Sequence, residues 1–141
     1  MTSVQPELWV DSPRDAVSFY QAAFGATVLY RVGEGDDIVA QLGVGEAAFW
    51  VAPVSSTMKR LSPRSIDGAT SRTLLVVNDP ETILRQAVAA GATETLPVGD
   101  EHGWAGSSTR SATNGRSARR SGTGRRASRQ RVAGCDRLEP A

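Results

Sequence analysis

A short pattern occurs twice in this chain. VDSP at 10–13 is matched by VNDP at 77–80, and GAT at 25–27 by GAT at 91–93. The first motif of each pair closes an alternating segment and opens a helical one; the second ends the helix and begins a strand. Two copies of such a unit, each covering one face of a small sheet with a helix, are expected to pack as a pseudo-symmetric pair.

The first copy is legible in detail. Val4–Asp11 alternates, which predicts a strand with Leu8 and Val10 on one face and Gln5, Glu7 and Trp9 on the other. Ser12-Pro13-Arg14-Asp15 opens a helix: Ser12 suits the cap, Pro13 the first helical position, and Asp15 the positive end of the dipole. Ala16, Val17, Tyr20, Ala23 and Phe24 follow at helical spacing, and Gly25 stops the helix. Three strands are expected at Thr27–Val32, Ile38–Val44 and Ala47–Ala52, with turns at Gly33–Asp37 and Gly45-Glu46. After a polar loop, Arg72–Val77 restarts the pattern as a strand. Asp79 caps a second helix, whose apolar stripe is Ile83, Leu84, Ala87, Val88 and Ala90, and Gly91 ends it. Thr93–Val98 is the next expected strand. The fold class is therefore α+β with paired βαβββ modules, the second incomplete: module one over 1–53, a linker over 54–71, a truncated module two over 72–104 and a tail over 105–141.

Composition separates the tail from the rest. Residues 1–104 carry 7 basic and 13 acidic side chains, whereas 105–141 carry 9 arginines against Asp136 and Glu139. The aromatics all lie at or before Trp104, and the tail's large aliphatics are Val132 and Leu138 alone. Such a segment buries too little apolar surface to offset the entropy of ordering, so disorder is expected. Its arginines would hold nucleic acid non-specifically and salt-dependently, without stacking aromatics or a recognition helix to make binding specific. One Cys and one His in 141 residues exclude a disulfide framework and a single-chain Cys/His zinc site. No apolar run approaches a membrane span and the N-terminus is not a signal peptide, so a cytoplasmic location is expected.

The segments LWVDSPRDAVSFYQAAFGA and LLVVNDPETILRQAVAAGATETLPVGDEHGW resemble the vicinal-oxygen-chelate superfamily, which includes glyoxalases, bleomycin-resistance proteins and extradiol dioxygenases. The resemblance covers about residues 4–104 and is to small glyoxalase-like members. It implies two βαβββ modules forming a cupped mixed sheet around a small-molecule or metal site, commonly in a homodimer. The family pattern continues from DEHGW into strands bearing a motif like VxDPFGHxWEI, which this chain lacks. Gly106–Ala118 (GSSTRSATNGRSA) can be back-translated so that the neighbouring frame reads VVDPFGHEWEIG, with only degenerate bases left to choice. The tail therefore reads as a frameshift near Trp104, which would leave the second module without its last two strands.

Metal-dependent members take a ligand from each of four strands. By the resemblance, the first position falls on Gln5, an acceptable oxygen ligand. The others fall near Trp50, which cannot ligate, on Arg72, which repels a cation, and in the missing segment. Only Gln5 matches, so no cofactor is expected and a divalent metal is disfavoured. Strand parity instead sends Gln5, Glu7, Trp9, Gln41, Trp50, Arg72 and Leu74 toward one cup, a set suited to a small-molecule pocket. Arg72 would favour an anionic or carbonyl-bearing ligand. The competing reading makes Trp9 and Trp50 core or interface aromatics and Glu7 a solvated strand residue. His102 reads as a loop residue rather than a base, Cys135 as incidental, and Gly33, Gly35, Gly43 and Gly45 do not form a phosphate loop. The expected function is binding or transformation of a small metabolite or xenobiotic without the usual metal set. The alternatives are a sequestering protein without turnover, a product inactive through truncation, and a basic-tailed nucleic-acid binder. No catalytic residue is assigned.

Overall fold

The computed structural model describes residues 2–96, 104–107 and 131–135. The first unit runs β1 (Glu7–Val10), α1 (Pro13–Phe24), β2 (Thr27–Val32), β3 (Val39–Val44) and β4 (Ala47–Pro53). Its sheet has the order β1-β4-β3-β2, with β1 parallel to β4 and the other pairs antiparallel. The parallel β1–β4 pair requires a crossover, and α1 with the β2–β3 hairpin supplies it.

Helix α1 begins where Pro13 presets φ and ends at Gly25, which turns left-handed at φ 64 and donates its N–H to the Gln21 carbonyl. Ser12 occupies the cap position but makes no side-chain cap hydrogen bond, contrary to expectation. Pro13, Ala16, Phe19, Tyr20 and Ala23 form its buried face. Phe19 lies outside the stripe read from spacing; it is buried because it meets Tyr20 and Phe24 edge-on at 5.5 and 5.9 Å. Against α1 the sheet presents Leu8 and Val10, Ala40 and Leu42, and Phe49 and Val51, the alternation expected for a one-sided sheet. Tyr20 and Phe49 close the contact at a ring separation of 4.9 Å.

The second unit runs β5 (Leu74–Val76), α2 (Pro80–Ala89), β6 (Glu94–Leu96), β7 (Trp104–Ser107) and β8 (Arg131–Cys135). Asp79 caps α2, its carboxylate accepting from the Thr82 N–H at 3.1 Å. Leu84 and Ala87 are buried, whereas Val88, expected on the apolar stripe, is exposed. The helices pack together, Gln86 Nε2 donating to the Ala22 carbonyl at 2.9 Å, and Ala87 and Ala92 join the core of the first unit.

Trp104–Ser107 and Arg131–Cys135, the described residues at and beyond the boundary drawn from composition, are strands, and the second sheet has four members in the order β5-β8-β7-β6. Ladder hydrogen bonds use main-chain groups that every residue but proline carries, so an apolar-poor segment can still pair with a strand edge. The result does not copy the first unit. There β4 runs antiparallel to β3 and parallel to β1; here β8 runs parallel to β7 and antiparallel to β5. The rest of the tail, the Pro97-Val98 end of the expected sixth strand, and His102 lie outside the described residues.

Candidate small-molecule cup

The face of the first sheet turned away from α1 carries a polar and aromatic row. Register pairs Glu7 with Trp50, Trp50 with Gln41, and Gln41 with Tyr30. Residues directly opposite in a sheet share a face, so the row crosses all four strands. Tyr30 joins because β2 bulges: pairing shifts between Val28 and Tyr30, leaving Leu29 as the extra residue. Its ring meets Trp50 edge-on at 5.9 Å. Gly43 makes room for the bulge, since a Cβ there would lie 3.1 Å from Leu29 Cδ1.

Gln5 reaches this row from the segment ahead of β1. Its Oε1 accepts from Gln41 Nε2 at 2.8 Å and from Trp50 Nε1 at 2.9 Å. An indole nitrogen can only donate, which fixes the Gln5 oxygen on the inner side. Its Nε2 turns outward to Ser3 Oγ at 3.3 Å. Next along β1, Glu7 Oε1 accepts from Trp9 Nε1 at 3.1 Å and lies 3.7 Å from Arg60 Nη2. The cup therefore contains two small networks, one neutral around Gln5 and one charged around Glu7.

These residues do not fit a divalent cation. A metal needs lone pairs directed at it, and the Gln5 oxygen is already turned toward two N–H groups, while Trp50 offers no lone pair. Among the described residues, no three His, Cys, Asp or Glu side chains are grouped as metal ligands would be.

Five of the seven residues expected in the cup, Gln5, Glu7, Trp9, Gln41 and Trp50, are brought together on this face. Arg72 is exposed in the coil ahead of β5, where a longer strand was expected, and Leu74 is exposed at the start of β5. Both belong to the second unit. Tyr30 and Arg60 were not anticipated. The bulge reverses the face that simple alternation gives Tyr30, and Arg60 is delivered by a turn in which Ser55 and Arg60 bridge.

No protein-family profile and no curated protein matches the sequence. Solved structures do match. A gene product from Arabidopsis thaliana, At5g48480, is 30% identical over 67% of this chain and 77% of its own, with a TM-score of 0.52. TioX from Micromonospora sp. ML1 is 24% identical over 72% of this chain and 81% of its own, TM-score 0.51. The hypothetical protein SA1046 from S. aureus is 15% identical over 76% of this chain and 85% of its own, TM-score 0.55. The last two speak to fold alone. Together with the crossover sheet and its covering helix, these likenesses show the glyoxalase-like fold, and the 30% identity to the Arabidopsis gene product places the chain in one family with it.

Proposed function

We propose that the chain is a small-molecule-binding protein of the sequestering type, with its ligand held on the Tyr30–Trp50 face of the cup. The observation that carries this reading is the Gln5 network. The position that would hold a metal's oxygen ligand instead braces an indole at a defined angle. A braced aromatic surface flanked by an amide and a carboxylate suits recognition of a flat, partly polar molecule. It favours binding over turnover, because the described cup side chains include no nucleophile within hydrogen-bond reach of a base. A ligand thermal-shift screen followed by product analysis tests it. Stabilisation without product, weakened in Trp50→Ala, supports sequestration. Stabilisation with product supports the enzyme reading, in which Glu7 is the available acid or base. No shift with any ligand class counts against both.

We further infer that two copies associate through β2. All six of its residues are exposed, it is an edge strand, and Leu29, Tyr30 and Val32 are each more than half exposed. Antiparallel pairing of two such edges about a twofold axis covers the same groups on both copies. Light scattering on a sizing column should report a dimer, and Leu29→Lys should shift it to monomer; a monomeric parent protein refutes the inference.

A further inference from the structure

Strand β1 lies at the edge of its sheet. In its parallel ladder the Pro6 and Val10 carbonyls accept from the Trp50 and Val54 amides at 2.8 and 3.1 Å. Alternation along the strand then turns the N–H and C=O groups of Glu7 and Trp9 to the opposite, outer edge. The segment 59–73 runs along that edge, and between them lies a cavity of about 410 Å³. This is the size of a small-molecule site. Glu7, Trp9, Lys59, Ser62, Thr70 and Thr73 are among its lining residues; Trp50, Gln41 and Gln5 are not. The recess is therefore separate from the cup, sharing only the Glu7–Trp9 wall.

Two features of this recess call for an acceptor. Ser62 is the buried polar residue of the described chain, 1% exposed. Its oxygen accepts from the Ser65 N–H at 3.2 Å, yet its own hydroxyl proton has no acceptor among the described residues. A buried donor without a partner is costly, and a ligand oxygen would satisfy it. Lys59 stands at the rim with a left-handed backbone, φ 54, and its ammonium makes no ion pair with a described residue. The one carboxylate in the wall, Glu7, is engaged by the Trp9 indole and Arg60.

We propose that the recess binds a small organic carboxylate, its oxygens taking the Ser62 hydroxyl and the Lys59 ammonium while its apolar part lies against Leu61 and Ile66. The proposal does not rest on the cup.

Titration calorimetry of the full chain with 3-phenylpropionate and with 3-phenylpropanamide, the same shape without charge, tests it. The acid should bind at least tenfold more tightly than the amide. Lys59→Gln keeps a similar side-chain length and leaves the backbone conformation alone; it should remove about tenfold of the acid's affinity and none of the amide's. Ser62→Ala should weaken both. Trp50→Phe should leave the acid's affinity unchanged. Equal binding of acid and amide, indifference to Lys59→Gln, or no heat from either compound overturns the proposal. Loss of acid binding in Trp50→Phe also overturns it, and assigns the ligand to the cup.

Discussion

The β2–β3 turn offers a controlled measurement of how firmly the backbone holds the cup in register. Gly33 and Gly35 both occupy it with positive φ, 87 and 59. A Cβ at Gly35 would meet nothing within 4 Å, whereas one at Gly33 would stand 2.0 Å from the Asp37 carbonyl oxygen and 3.1 Å from its carbon. Gly35→Ala therefore carries only the left-handed penalty of about 1–2 kcal/mol, offset by roughly 0.4–1 kcal/mol from a less flexible unfolded chain. A net loss of about 0.5–1 kcal/mol follows. Gly33→Ala bears the same cost plus an overlap with main-chain atoms that no rotamer can relieve, typically a further ~1–3 kcal/mol. The turn leads directly into Ile38, 1% exposed, and into the strand carrying Gln41. Urea unfolding followed by tryptophan fluorescence should place Gly33→Ala about 1.5–4 kcal/mol below the parent and well below Gly35→Ala. Equal stability of the two variants would refute the reasoning, since they differ chiefly in the Asp37 contact.

Further expectations concern the cup, the second helix and the gene. Gln5→Ala strips the acceptor from two donors on a partly exposed face, so it should cost about 1 kcal/mol in denaturant and red-shift the Trp50 emission; Gln5→Glu, which retains the acceptor, should preserve both. The Asp79 carboxyl is held below its ordinary value of 3.8, first by its side-chain hydrogen bond from Thr82 and less by Arg85. Its contribution is thus present above that ordinary value and lost as pH falls through the lower folded-state pKa; Asp79→Asn should flatten this acid limb in a pH series of melting temperatures. Sequencing the coding DNA across residues 95–141 should show AGA at Arg116 and AAT at Asn114 if the tail is a shifted frame. Other codons there would make the tail genuine coding sequence.

The first unit was readable because its signals are local. Alternation in Val4–Asp11 separated Leu8 and Val10 from Glu7 and Trp9. Proline and glycine set the ends of α1, and polar turn residues spaced the strands. Each follows from the conformational preferences of neighbouring residues, which sequence states directly. The helix stripes were less complete: Phe19 is buried by its aromatic neighbours and Val88 is left exposed, because burial depends on what faces the helix. The direction of β8 had no local signal at all, since main-chain pairing is nearly indifferent to side-chain identity.

The cup shows the same division. Residue types and parity put Gln5, Gln41 and Trp50 on one face, but their hydrogen bonds join positions 36 and 45 apart in sequence. Only the register of three strands turns that list of candidates into a braced indole. A one-residue bulge then brings Tyr30 against it, and a distant turn brings Arg60 to Glu7. The sequence by itself determined the elements of the first unit and the two faces of β1, because those depend on the nearest few residues. The tertiary structure alone decided which side chains meet, because bulges, register and loop paths set distances that no local pattern encodes.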